Sequence, residues 1–286
     1  MQYQISVLQN EQEYRELLTF VGRMVTQQFP YCYALPGDLD WWRRSIALEQ
    51  ALSEITIWRC DGHIVGFGWV NGDQIDSIYD GSDPHVWRSI VEYFHSSHNN
   101  HTFWALQQQT QRQSVLEEFG YRKDNAEFRM HFIDTQYAPK ASIPTGYTIT
   151  HVDDTTNDSR AACQRSAFNS TKMTGEIYCH VRTLPSYTTH WDRIIVNSAN
   201  EVVAFCTIWV DAVSGHALFE PVGCHQAYQR RGLTRALICQ SLQDLAIAGV
   251  RTAHVMSVSD VNNPAVHLYR SCGFQFIDEL VPWRAE

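Results

Sequence analysis

Residues 220–236, EPVGCHQAYQRRGLTRA, constrain this chain more than any other stretch. An apolar lead-in, Ala217, Leu218 and Phe219, runs into Glu220, Pro221, Val222 and Gly223 and reads as a strand ending near a bend. Arg230, Arg231 and Gly232 follow, and a long helical pattern begins at Leu233. A glycine at such a turn lets backbone approach a ligand where a Cβ would collide with it. The first amides of a helix lack intrahelical partners and can donate to phosphate oxygens, assisted by the helix dipole. Two adjacent arginines add charge where a diphosphate would lie. These residues describe a strand–turn–helix anion cradle. A glycine-relieved helix start with solvated arginines is the competing reading of this stretch taken alone. Neither the lysine and Ser/Thr of GxxxxGK[ST] nor the GxGxxG of a dinucleotide fold is present.

A second stretch, residues 262–274, separates the two readings. The first stretch carries Gln229, Arg230, Arg231, Gly232, Leu233 and Thr234; the second carries Asn262, Ala265, Leu268, Tyr269, Gly273 and Phe274. Together they resemble the Q/R-x-x-G-x-G/A loop and the N-x-x-A-x-x-L-Y-x-x-x-G-F segment of the GCN5-related N-acetyltransferase (GNAT) superfamily. The spacing leaves room for one helix and one strand between them. Thr234 departs from the pattern where the loop has Gly or Ala, so its side chain is expected to narrow the cradle or to donate into it. The resemblance implies acetyl-CoA as acyl donor and no metal. It places the donor on Val222, Gly223, Gln229, Arg230, Arg231, Gly232, Leu233, Thr234, Arg235, Asn262 and Ala265. It also implies that two sheet strands part at the cradle to admit the pantetheine arm.

Hydrophobic periodicity orders the rest. Residues 4–8 read as a strand, 11–27 as a helix, 29–40 as turn-rich and 41–53 as helical. Residues 55–60 and 64–71 form a hairpin around Asp61-Gly62. Strands are expected at 74–79, 102–107 and 127–133, with helices at 85–94 and 111–119. The order β-α-α-β-β-β-α-β-α-β recurs after residue 146, and residues 115–121 echo 268–274. The chain is therefore expected to be α/β, with tandem acetyltransferase-like domains, each a mixed central sheet flanked by helices. Residues 1–140 form the first, 141–146 a linker marked by the nearby prolines and Gly146, and 147–286 the acyl-CoA-binding domain. In the first domain the loop after 74–79 is Asp80, Gly81, Ser82, Asp83, Pro84, whose carboxylates would repel a diphosphate. That domain is read as degenerate, either structural or walling the substrate site. His95, His98 and His101 are read as solvated loop histidines, since no carboxylate or cysteine completes a metal set.

Composition narrows the partners. The chain has 286 residues, 44% hydrophobic and 19% charged, enough for two domains with real cores. Of the net charge of −9, most lies in residues 1–144, which hold 11 Lys/Arg against 18 Asp/Glu. Neither half is basic, which argues against nucleic acid. No apolar run reaches a membrane span and no signal-peptide pattern opens the chain. Eight cysteines without a CxxC pair point to free thiols and a cytoplasmic protein, monomer or homodimer.

Acyl transfer to an amine needs a neutral amine, an oxyanion donor and a proton for the leaving thiolate. Glu220, beside the expected cleft, is the candidate base, and a backbone amide near Val222 or Gly223 the oxyanion donor. Tyr269 is the position of the family's thiolate-protonating acid. Cys224 next to His225 does not form a nucleophile–base pair, because adjacent strand residues face opposite sides. Tyr178, His180, Tyr187, His190, Trp191 and Trp209 suggest an aromatic-walled acceptor channel. The expected function is transfer of an acetyl group to a primary amine of a small molecule by direct attack in a ternary complex. A protein or peptide N-acetyltransferase and a non-catalytic acyl-CoA-binding protein are the alternatives.

Overall fold

The computed structural model describes residues 3–97 and 101–285. In chain order it runs β1 (Gln4–Val7), α1 (Glu11–Gln28), α2 (Pro36–Trp42), α3 (Leu48–Glu54), β2 (Ile55–Cys60), β3 (His63–Asn71), β4 (Gln74–Tyr79), α4 (Pro84–Ser97), β5 (Thr102–Leu106), α5 (Thr110–Glu118), β6 (Tyr121–Lys123) and β7 (Phe128–Asp134). It continues with β8 (Tyr147–His151), α6 (Asn157–Phe168), α7 (Gly175–Val181), β9 (Asp192–Asn197), β10 (Val202–Asp211), β11 (His216–Cys224), α8 (Leu233–Ile247), β12 (Thr252–Val258), α9 (Pro264–Ser271) and β13 (Gln275–Ala285). The fold is mixed α/β; from β8 the chain runs β-α-α-β-β-β-α-β-α-β, and the first half follows the same succession with a third helix before β2 and the short β6 added.

The chain divides into two compact units. The first comprises Met1–Pro36, Ile46–Met130 and Ile277–Glu286; the second comprises Gly37–Ser45 and His131–Phe276. Each unit is thus discontinuous. Strand β13 supplies most of its length to the first unit, pairing antiparallel with β5 and β6. Nearly all of α2 belongs to the second.

In the first unit the strand order is β1-β2-β3-β4-β5-β13, with β6 on β13. Helix α1 forms because Tyr14, Leu17, Leu18, Val21 and Val25 fall on one buried face. Asn10 caps it by accepting the Glu13 N–H at 3.0 Å. The hairpin turn between β2 and β3 is Asp61-Gly62, with φ of 49° and 81°. Trp58, Trp87, Phe103 and Trp283 build the core. His95 sits on α4 with its ring against Phe119 and Tyr121, and His101 is buried. Aromatic packing at the end of α4 thus draws the half-buried His95 inward, and neither His95 nor His101 is solvated as expected; His98 lies outside the described residues.

The second unit has the order β7-β12-β11-β10-β9-β8. Pairing from β8 to β11 is antiparallel, and β11 runs parallel to β12. Helix α8 lays Leu233, Leu237, Leu242 and Leu245 on this sheet, in one core with Phe219, Val255 and Tyr269. Among the described residues no helix is long and apolar enough to cross a membrane.

Candidate functional site

The parallel pair β11–β12 is joined at one end only. His216 pairs with Thr252, Ala217 with Ala253 and Leu218 with His254. Beyond these, β11 continues to Cys224 and β12 to Val258 with no mutual register. The cause lies on the other side of β11. Phe219 opposes Ile208 and Val222 opposes Cys206, so Glu220 and Pro221 together face the single residue Thr207. Such a bulge bends the strand that carries it, and proline cannot donate to a ladder. The result is a V-shaped opening whose apex is Leu218/His254 and whose one arm is Glu220 to Cys224.

That arm leads to the cradle. Gln229, Arg230, Arg231 and Gly232 are exposed. Gly232 has φ 77° and stands at the N-cap of α8 with no side-chain cap. The first hydrogen bond of the helix runs from Ala236 N–H to the Gly232 carbonyl at 3.0 Å. The amides of Leu233, Thr234 and Arg235 precede it, so the helix cannot satisfy them itself. No atom lies within 4 Å of where a Gly232 Cβ would be. Arg231 is braced by Tyr147 Oη at 2.9 Å and the Ala227 carbonyl at 3.0 Å, with its guanidinium 5.0 Å from the Tyr228 ring centre. The Leu233 side chain is buried. Thr234 hydrogen-bonds the Cys224 thiol, whose pKa burial nonetheless raises. Its hydroxyl is thereby engaged beside the cradle.

Glu220 is enclosed on its other side by α2. Burial pushes its carboxyl above the ordinary range, against the Arg44 guanidinium and hydrogen bonds with Asp38 and Trp41. A hydrogen bond between two carboxyls requires a proton between them. Trp209 Nε1 donates to the Glu220 carbonyl at 2.5 Å, and its indole lies 6.4 Å from Trp41. An open cavity of about 260 Å³ adjoins Glu220, lined also by Trp41, Arg44, Arg165, Phe168 and Lys172. None of α2's contribution was visible in the sequence; the only signal was the density of charge and indole in Asp38, Asp40, Trp41, Trp42, Arg43 and Arg44 just after Pro36-Gly37.

Tyr269 is buried on α9, its ring 5.9 Å from that of Phe274. Burial, then the neighbouring Cys206, Glu220 and Cys272, push its hydroxyl pKa well up, so the proton is held at neutral pH. Asn262 is exposed, and Asn263, not Asn262, caps α9 by accepting the Ala265 N–H at 2.9 Å. Ala265 packs partly buried on the core, Val222 is half-buried, and Gly223 lies against the Phe205 ring. His225 accepts the Ala227 amide at 3.2 Å.

Tyr178, His180, Tyr187, His190, Trp191 and Trp209 were expected to wall an acceptor channel. None of them lines the cavity beside Glu220. Tyr178 and Tyr187 instead donate to the buried Asp192 carboxylate at 2.5 and 3.1 Å, joined there by Thr207 at 3.0 Å. A buried carboxylate needs such donors, and this requirement turns the rings inward. His190 stacks on His151.

Residues 161–274 match the acetyltransferase (GNAT) family model. That segment runs from α6 through the bulge and cradle to the end of the Tyr269 motif. The match lies within the second unit. Solved structures extend the likeness of fold to the whole chain. A GNAT-family acetyltransferase from Colwellia psychrerythraea aligns over 99% of this chain and 100% of its own, at 12% identity and TM-score 0.68. A tandem GNAT protein from the clavulanic acid biosynthesis pathway aligns over 100% and 98%, at 14% identity and TM-score 0.66. A GCN5-related N-acetyltransferase from Sphaerobacter thermophilus aligns over 99% and 95%, at 16% identity and TM-score 0.61. The tandem arrangement is therefore a property of the fold. No curated protein matches the chain in sequence.

The two GNAT-like units differ at the cradle. In the first, the loop after β4 turns on itself: Asp80 accepts the Ser82 amide at 2.9 Å, and Asp83 accepts the His85 amide at 3.0 Å and the Tyr3 hydroxyl at 2.6 Å. The start of α4 is filled by the chain's own carboxylate. Among the described residues no group of three or more His, Cys, Asp or Glu side chains is placed to hold a metal ion.

Proposed function

We propose that this protein transfers an acetyl group from acetyl-CoA to a primary amine of a small molecule, using the second GNAT domain alone. The observation that carries this reading is the position of Glu220. The bulge sets it at the point where β11 leaves β12, with the cradle at the end of its own strand and a cavity against its side chain.

The cradle fits an acyl-CoA. Its helix amides are uncapped, Gly232 leaves open space, and Arg230 makes no hydrogen bond or ion pair among the described residues. Val222, Gly223, Gln229, Arg230, Arg231, Gly232, Leu233, Thr234, Arg235, Asn262 and Ala265 would hold it. When bound it supplies an acyl group activated as a thioester. Glu220 takes a proton from the amine nitrogen, directly or through water. A raised pKa suits that task, since a base works best near the ambient pH. Tyr269 holds its hydroxyl proton for the leaving sulfur. Cys224 has no basic partner, which favours direct attack over an acyl-enzyme. The cavity's volume suits a small amine better than a peptide segment. The first unit, with carboxylates where the cradle would be, is read as degenerate.

An acetyl-CoA-dependent screen of amines, amino acids, amino sugars and peptides, following free thiol release with the full chain, tests this reading. Turnover of small amines is expected. Turnover confined to peptides would replace the acceptor class. Acetyl-CoA binding with no amine-dependent thiol release for any acceptor would leave a non-catalytic binding protein.

A further inference from the structure

The cavity beside Glu220 has a charge pattern at odds with the rest of the chain. Three cations, Arg44, Arg165 and Lys172, border it against the single carboxylate of Glu220. The whole chain carries −9, so a positive cavity does not follow from composition.

Two of the cations are fixed there. Arg44 Nη1 donates to the Trp41 carbonyl at 2.8 Å, and its guanidinium lies 4.6 Å from the Trp41 ring centre. Arg165 Nη1 donates to the Met173 carbonyl at 2.7 Å. Each uses one nitrogen on backbone and keeps further N–H donors. Lys172 is exposed and its ammonium makes no ion pair among the described residues. Gln164 gives its Oε1 to Arg160 at 2.9 Å, which leaves its amide nitrogen as another donor. Trp41, Phe168 and Met173 supply apolar wall, which strengthens charge interactions inside the cavity. The cradle residues 229–234 are not among the lining, so these cations are separate from the arginines of the cofactor side.

We propose that the ligand of this cavity is an amine that also bears an anionic group, a carboxylate or a phosphate, held by Arg44, Arg165 and Lys172 while its nitrogen meets Glu220. As a statement about the acceptor it rests on the acyl-transfer reading. A polyamine would meet three like charges, and a plain alkylamine would leave the donors unused. Planar guanidinium groups suit either oxyanion.

The test uses the full chain with CoA present and probes in matched pairs. Amino acids are set against their amides, and glucosamine 6-phosphate against glucosamine. Binding is read by calorimetry and turnover by thiol release. The anionic member of at least one pair should bind tighter by about tenfold or more, as expected for a charge-assisted contact. The preference should shrink in Lys172→Gln, shrink further in Lys172→Glu, where Arg44 and Arg165 remain, and fall with added salt; a solvent-facing lysine can be changed without unfolding the chain. Equal binding within every pair, or a preference untouched by Lys172→Glu, would overturn the inference. Loss of CoA affinity in Lys172→Glu would hand the lysine to the cofactor and overturn it also. A binding preference without thiol release would support the inference and refute acyl transfer. Equal turnover within every pair would do the reverse.

Discussion

Trp209 holds Glu220 by its backbone and α2 by its ring. Its Nε1 donates to the Glu220 carbonyl at 2.5 Å, while Gly37 of α2 sits so close that a Cβ there would fall 2.2 Å from Trp209 Cβ. The bulge that aims Glu220 is therefore clamped from Gly37, 183 positions before Glu220 in the chain. The contact is to the root of the indole, which cannot swing aside. Gly37→Ala is expected to cost about 1–3 kcal/mol, as overpacking does, and to lower turnover by displacing Glu220. A melting curve and a rate measurement check this; an alanine variant with wild-type Tm and rate would show that the clamp has slack.

Acyl-CoA should bind once per chain. Gly232→Asp places a side chain and a negative charge at a left-handed turn beside the uncapped amides of α8. CoA affinity should drop by roughly a hundredfold or more, while the fold survives because the position is open and exposed. Titration calorimetry giving two sites in the wild type, or unchanged affinity in the variant, would contradict the assignment of the cradle.

Asp76 makes stability pH-dependent in the first unit. Burial raises its carboxyl pKa to about 7, with Arg112 pulling the other way. A group whose pKa is raised by folding contributes stability below its unfolded pKa, near 4, and loses that contribution as pH rises through about 7. Asp76→Asn removes the proton exchange. Relative to wild type, the variant should gain on the order of 3–4 kcal/mol between pH 4 and pH 8. Denaturant melts across that range measure the difference; a pH-independent difference would mean that Asp76 is ionised in the fold.

Much of this arrangement was legible in the chain and some was not, for physical reasons. Strands β2 to β4, helices α1 and α8 and the turn at Gly232 are set by local periodicity and turn chemistry, and they lie where the sequence places them. Helix α2 was missed because Pro36-Gly37 reads as a breaker, although proline is tolerated in a first helical turn. The pattern over residues 41–53, read as one helix, is split into α2 and α3. The roles of Asp38, Trp41 and Arg44 depend on contacts with Glu220 that no local pattern encodes. Tyr178 and Tyr187 were given to a channel because nothing in their own neighbourhood reveals the buried Asp192 that takes their hydroxyls.

Tyr269 should be separable from binding. Tyr269→Phe keeps the ring packed against Phe274 and removes only the hydroxyl. Acyl transfer should slow by roughly tenfold to a thousandfold with CoA affinity retained, since a CoA thiolate is a tolerable leaving group. Single-turnover rates with direct CoA binding check this. Near-normal transfer in the variant would leave Tyr269 as a core residue.

The role of Glu220 is tested most directly by the pH–rate profile of Glu220→Gln beside that of the wild type, with acetyl-CoA and an amine that the wild type accepts. If the carboxylate takes the amine proton, the wild-type rate should fall as pH drops through the raised pKa of Glu220. The variant should be slowest relative to wild type at low pH, where little amine is already neutral, and recover partly as pH rises. A variant profile parallel to wild type across the range would contradict Glu220 as the base.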